Sequence, residues 1–217
     1  MARRKLVRKN KERTGWYYRL HAWALARGSA DYEKAVAERK RRLFGDLRGN
    51  VLELGPGGGV NLSYYPKDIH WIGIEPNPFN HPNIRKAAER AGINGLEFRS
   101  LEGNRLEAAD NSIDAVVSTL VLCTVPDQEA TLAEILRVLK PGGRFAFIEH
   151  VAAPRGTFLR GMQRLVRPGW RFLLDGCCPD RETAAAIKRA GFSEVNIESF
   201  RAPLPIVSPH IAGVAKK

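Results

Sequence analysis

An α/β fold built on a doubly wound, mostly parallel sheet is predicted by three observations on this chain. Apolar runs of strand length alternate with helical runs from about residue 50 onward. The first run, Val51-Leu52-Glu53-Leu54, passes into a glycine-rich turn, Gly55-Pro56-Gly57-Gly58-Gly59. The second, Trp71-Ile72-Gly73-Ile74, ends at Glu75, 20 positions after Gly55. Alternation of this kind buries both faces of a parallel sheet and demands right-handed crossovers.

The elements follow in order. Strands are expected at 51–54, 70–75, 95–99, 113–119, 143–149, 193–199 and 210–215. Helices are expected at 60–65, 83–91, 127–139 and 181–190. The clearest of these starts at Asp127, an N-cap residue after Pro126, and places Leu132, Ile135, Leu136 and Leu139 on one face. Pro141 should stop it. Asp180 is expected to cap the last helix, and Gly191 stands where a C′ glycine would. Upstream, Trp16, Leu20, Trp23 and Arg27 recur at helical spacing, and a second helix is expected over 32–44 with Tyr32, Ala35, Val36 and Leu43. Residues 151–179 break the alternation and carry Phe158, Leu159, Met162, Leu165, Trp170, Phe172 and Leu173. They leave the carboxyl edge of the sheet, where ligands of open α/β sheets lie, so they are expected to wall or lid a pocket, or else to cover the sheet.

Bulk properties narrow the function classes. The chain of 217 residues suits one domain at 49–217 with a basic helical extension at 1–48. Its net charge of +12 is concentrated: residues 1–50 hold 15 Lys or Arg against 5 Asp or Glu. Such an arm is drawn to polyanions, an anionic membrane surface through residues 1–28 ahead of nucleic acid, or serves only solubility. No window has the long uncharged apolar stretch that spans a bilayer, and the basic N-terminus lacks the apolar core of a signal peptide. Three cysteines, Cys123, Cys177 and Cys178, make no disulfide framework. A cytoplasmic protein, with peripheral membrane contact as an option, is therefore expected.

The glycine turn is specific in its details. A dinucleotide fingerprint puts its third glycine on the following helix, whereas Gly55, Gly57 and Gly59 fall at every second position. No Lys-Ser or Lys-Thr pair follows, as a phosphate loop requires. A nucleoside without a pyrophosphate is the better ligand, with Glu75 able to bind a ribose diol.

This arrangement resembles the S-adenosylmethionine (SAM) site of class I methyltransferases. Three further segments match in order: Glu102-Gly103 before Asn111-Ser112-Ile113-Asp114, the strand from Ala115 to Thr119, and Leu139-Lys140-Pro141-Gly142-Gly143 before the strand ending at Glu149. The resemblance implies a Rossmann-like, seven-stranded sheet whose last two strands form a pair. It implies that Gly55, Gly57 and Gly59 underlie the methionine and ribose, with Glu53 near the amino-acid end. Glu75 would take the ribose hydroxyls, Glu102 and Gly103 the adenine edge, and Thr119 and Leu120 would flank the sulfonium.

Leu120-Val121-Leu122-Cys123-Thr124-Val125, Ile148-Glu149-His150-Val151, Asp175-Gly176-Cys177 with Arg181-Glu182, and Pro209-His210-Ile211-Ala212-Gly213 are similar to the methyltransferase-like family containing the alkyl-thiol S-methyltransferases and their bacterial relatives. Phosphatidylethanolamine N-methyltransferases share parts of the set. The thiol enzymes carry an apolar N-terminal anchor where this chain has its basic, Trp-bearing extension. The implied activity is SAM-dependent methyl transfer to a small apolar acceptor, a thiol among the candidates. A neutral thiol needs a proton sink, because only the thiolate attacks efficiently. His150 is the first candidate, followed by Asp175, which could orient it or cap a turn with Gly176, and His210. No metal is expected, since no second cysteine pair or neighbouring histidine completes a ligand set in the sequence around Cys177-Cys178. Two alternatives stand beside this reading: a phospholipid or quinone methyltransferase docking through the basic helix, and a non-enzymatic SAM-binding module for nucleic acid or membrane.

Overall fold

Nearly continuous apolar runs become central strands here because helices cover both of their faces. A computed structural model describes residues 30–99, 101–102 and 105–217. The expected 16–27 helix, Gly103 and the Glu102 side chain lie outside the described residues. The strands are β1 (Asn50–Leu54), β2 (His70–Ile74), β3 (Gly95–Phe98), β4 (Leu101–Glu102), β5 (Arg105–Leu106), β6 (Ile113–Thr119), β7 (Leu139–His150), β8 (Glu194–Arg201) and β9 (Pro209–Lys216). Seven of them form one sheet in the order β3-β2-β1-β6-β7-β9-β8, and β4 with β5 makes a separate hairpin. All pairings are parallel from β3 across to β7; β9 runs antiparallel to both β7 and β8. The strand order reverses between β1 and β6, so the crevice beyond their carboxyl ends is where a ligand belongs.

The helices are α1 (Ala30–Phe44), α2 (His81–Ala91), α3 (Gln128–Val138), α4 (Phe158–Leu173) and α5 (Thr183–Arg189). One face of the sheet packs Val51, Trp71, Val117 and Ile148 against Val36 and Phe44 of α1 and Ile84 of α2. The other packs Leu52, Ile72, Val116 and Phe145 against Leu132 and Ile135 of α3 and Ile187 of α5. The described part of the N-terminal extension is thus built into the main core through Tyr32, Val36, Leu43 and Phe44.

Three local expectations are corrected. The 127–139 helix ends at Val138, and Leu139 is already extended as the first residue of β7. Pro141 disfavours helical geometry at Lys140, and Lys217 Nζ takes the freed Leu139 carbonyl at 2.9 Å. Asp180 does not cap α5, which starts after Glu182; Asp180 instead pairs with Arg167 at 3.5 Å. The expectation that 151–179 wall or lid a pocket, or cover the sheet, is met only in part: Trp170 of α4 reaches Cys177 Sγ at 3.4 Å, but much of the apolar surface of α4 faces outward. Phe158 and Phe172 are each 84% exposed and Leu165 is 74% exposed, while Arg160 and Gln163 form the buried face of α4. Gln163 Oε1 accepts from Ala153 N at 2.8 Å, and Arg160 donates to Glu182 at 2.9 Å. These polar anchors hold the helix with its apolar ridge outward.

Candidate active site

Glu53 lies in an apolar strand and is buried, so its carboxylate needs internal donors. It has three: Asn61 Nδ2 at 2.7 Å, Tyr65 Oη at 2.9 Å and Trp71 Nε1 at 2.9 Å. Burial raises its pKa, and the three hydrogen bonds oppose that shift. Asn61 Nδ2 also reaches Thr119 Oγ1 at 3.1 Å, tying the end of β6 to the network under the glycine turn. The other Asn61 atom, Oδ1, is buried without a protein partner.

The turn itself is tightly specified. Gly55 has φ +56°, and a Cβ there would sit 2.7 Å from Val121 Cγ2. Gly59 has φ +78°, and its Cβ would crowd Leu62, Ala87 and Ile84 at 3.0–3.1 Å. Gly59 thus serves the packing of the turn on α2. Gly57 N donates to Glu75 Oε2 at 3.0 Å, and Asn77 N donates to Oε1 at 2.8 Å. Glu75, at the tip of β2, is pushed up by burial and pulled down by Asn77, Asn80 and Gly57. Asn80 Oδ1 is a second buried acceptor without a partner. SAM carries an ammonium and ribose hydroxyls, donors of the kind these acceptors lack, so the residues fit the group.

Beyond β6 the chemistry changes. Leu120 has φ +57°, a left-handed conformation that costs a residue with a side chain about 1–3 kcal/mol. It is held there by Glu149, whose Oε1 accepts from Ser118 Oγ at 2.6 Å and from Val121 N and Leu122 N at 3.1 Å. Glu149 is fully buried, which raises its pKa, and its Oε2 has no partner among the described residues. His150 ends β7, and its Nε2 lies 3.0 Å from Cys177 Sγ. Cys177 Sγ is 3.7 Å from Cys123 Sγ and receives Trp170 Nε1–H at 3.4 Å. The Cys123 contact, His150 and Trp170 hold the Cys177 thiol low against the effect of burial, while the same contact and burial push Cys123 up. Cys123 Sγ in turn lies 3.4 Å from the Leu120 carbonyl, on the turn expected to flank the sulfonium.

The other candidates are placed differently. His210 sits opposite His150 in the β7–β9 register, with ring centroids 6.2 Å apart. Its Nδ1 faces the Ser208 carbonyl at 3.1 Å, so that nitrogen carries the proton, and burial lowers its pKa to about 4. Asp175 does not orient His150: the ring's Nε2 is on Cys177 and its Nδ1 has no hydrogen-bond partner among the described residues. With φ +47°, followed by Gly176 at +91°, Asp175 shapes the turn that presents Cys177. Sequence reasoning missed Asn61, Tyr65, Trp71, Cys123 and Glu149. A carboxylate inside an apolar strand, at Glu149 as at Glu53, is the signal that could have found two of these networks' centres.

A doubly wound sheet with this strand order, a glycine turn bonded to a strand-end carboxylate and a strained turn across the switch point defines a class I SAM-dependent methyltransferase. The methyltransferase domain family matches residues 52–147. Human thiol S-methyltransferase TMT1A is 40% identical over 205 residues, 89% of this chain and 84% of that protein. Rat TMT1B is 41% identical over 197 residues, covering 85% of this chain and 80% of the relative. A chain from the complex of the Haloferax volcanii Trm112 methyltransferase activator with a methyltransferase superposes with a TM-score of 0.69 at 20% identity, covering 92% of this chain and 96% of that one. This chain belongs to the SAM-dependent methyltransferase family that contains the thiol S-methyltransferases.

Proposed function

We propose that the acceptor is the thiol of a small apolar molecule, and that His150 with Cys177 serves its sulfur. The carrying observation is the 3.0 Å contact of Cys177 Sγ with His150 Nε2 at the end of β7, linked through Cys123 to the Leu120 turn. The names of the similar proteins TMT1A and TMT1B support the same acceptor chemistry. SAM supplies a methyl group on a sulfonium whose sulfur departs as a neutral thioether, so no acid is needed at the leaving group. The chain's task is alignment, with the acceptor sulfur about 3–3.5 Å from the methyl carbon. Glu75 and the turn from Gly55 to Gly59 fix the nucleoside end, with Glu102 and Gly103 assigned to adenine. Glu53 acts by positioning Asn61 beneath Thr119. The His150–Cys177 pair serves the acceptor sulfur, which attacks as thiolate once its proton is taken up; His210 is the second imidazole of the same wall.

The test is full-length chain with labelled SAM and a panel of alkyl and aryl thiols, quinones and phosphatidylethanolamine. Methylation of thiols alone is expected; methylation confined to quinone or lipid would overturn the assignment.

A second reading adds peripheral membrane docking. It is supported by the outward ridge of Phe158, Leu165 and Phe172 on α4 and by the basic charge of residues 1–28. An exposed apolar face beside cationic side chains is the composition that lies in a bilayer interface. Among the described residues no helix is long and apolar enough to cross a membrane. Flotation with anionic vesicles should be lost both on removal of residues 1–28 and in Phe158→Ser with Phe172→Ser. Retention on RNA but not on vesicles would favour nucleic acid.

A further inference from the structure

We infer that Cys123, His150 and Cys177 form a three-ligand site for a thiophilic divalent cation, zinc being the first candidate, with its fourth position open to the acceptor sulfur. The site stands on the geometry of the three side chains; its use for the acceptor rests on the thiol reading above. The two Sγ atoms and a ring nitrogen of His150 all lie within 4.8 Å of one another, although they come from the turn after β6, the end of β7 and the loop after α4. A tetrahedral zinc with bonds of about 2.3 Å to sulfur and 2.0–2.1 Å to nitrogen sets ligand edges of roughly 3.8 Å for two sulfurs and 3.6 Å for sulfur and nitrogen. The two sulfurs already stand at 3.7 Å. The Cys177–His150 edge, at 3.0 Å, needs to open by roughly half an ångström, within reach of side-chain rotation.

The surroundings agree. Trp170 Nε1–H points at Cys177 Sγ from 3.4 Å, the kind of outer hydrogen bond that orients a metal-bound thiolate. Two thiolates and one imidazole select zinc over magnesium or calcium, which take oxygen ligands. Three protein ligands leave an open position, as in catalytic rather than closed structural zinc sites.

The chemistry balances without an added reductant or oxidant. The acceptor R–SH binds as R–S⁻ to the cation and releases its proton to solvent. The sulfur lone pair then forms the S–CH₃ bond as the sulfonium–CH₃ bond breaks, giving a neutral thioether product and neutral S-adenosylhomocysteine. The product thioether is a poorer ligand than the thiolate, and it leaves.

Full-length protein purified without chelator should carry about one zinc per chain by elemental analysis. Cobalt(II) added to chelator-stripped protein should produce sulfur-to-cobalt charge-transfer absorption. Cys177→Ser should lose both signals, whereas Cys178→Ser, one residue away and outside the ligand set, should keep both. SAM affinity, read by calorimetry, should be the same in stripped and loaded protein. Should Cys177→Ser not fold, the cobalt titration of the wild type decides alone. No retained zinc together with no charge-transfer band overturns the site and leaves a hydrogen-bonded thiol–imidazole pair. Full thiol methylation by stripped protein overturns its role toward the acceptor while leaving the thiol reading intact. Zinc and cobalt signals without turnover of any thiol would keep the site and reject that reading instead.

Discussion

The two sides of the switch point are built on opposite principles. On the β1–β2 side, Glu53 and Glu75 are met by donors at 2.7–3.0 Å before any ligand arrives. On the β6–β7 side, Glu149 Oε2, His150 Nδ1 and His210 Nε2 are buried without partners among the described residues, and two thiols face an imidazole. The first side meets its carboxylates internally and, among the described residues, leaves only the amide oxygens of Asn61 and Asn80 over as acceptors; the second leaves a carboxylate oxygen and two imidazole nitrogens in reserve at a desolvation cost. A shared cofactor needs the same fixed frame in every member of the fold, whereas the acceptor side carries the chemistry that distinguishes one member from another.

The contrast can be broken in graded steps. The largest effect is expected at His150: His150→Ala should lower turnover of a thiol by about 10²–10⁴-fold with SAM affinity near wild type. Loss of SAM binding in that variant would move His150 to the cofactor side. Next, Glu75→Ala removes the carboxylate that Gly57 N and Asn77 N already engage, and should weaken SAM and S-adenosylhomocysteine by about 10–100-fold, a loss of roughly 1.5–3 kcal/mol for hydrogen bonds to a charged group. Calorimetry on the pure variant checks this, and unchanged affinity would remove Glu75 from the site. Trp71→Phe should cost about 1–3 kcal/mol of unfolding free energy in denaturant, because Glu53 loses one donor while remaining buried; an effect below that range would mean that the Glu53 network is not stressed.

The smallest effect is electrostatic and lies at the sheet edge. Arg99, then His70, hold Glu97 down at about 2. Its folded pKa lies below the unfolded value, so its contribution is present above about pH 4.5 and fades as pH falls toward 2. Because Glu97 is largely exposed, Glu97→Gln should cost only about 0.2–1 kcal/mol at neutral pH, and the variant and wild-type stability curves should converge in acid. Parallel curves down to pH 2 would show that the ion pair contributes nothing.

How much was legible follows the same division. The strands and the pairing of the glycine turn with Glu75 were read because contiguous residues carry them: one turn, one strand end, one 20-residue spacing. The outward ridge of α4 was not foreseen in a segment expected to wall or lid a pocket or to cover the sheet. Arg160 and Gln163 decide its orientation through partners at Glu182, Ala153 and Ile206, which no local pattern reveals. Asp175 was offered either as a partner for His150 or as part of a turn with Gly176, and the left-handed backbone of both residues places it in the turn.

The sequence by itself determined the doubly wound sheet, the glycine turn and the strand-end carboxylate that the turn bonds, since periodicity, glycine placement and short spacing are local properties. Only the tertiary structure decided that Cys123, His150 and Cys177 meet. They are separated by 27 residues on either side of His150, and they converge because β6 and β7 are neighbours in the sheet while the loop after α4 returns over their ends. Long-range convergence leaves no periodic trace in a chain; it is fixed by sheet order and by the buried polar anchors that aim each loop.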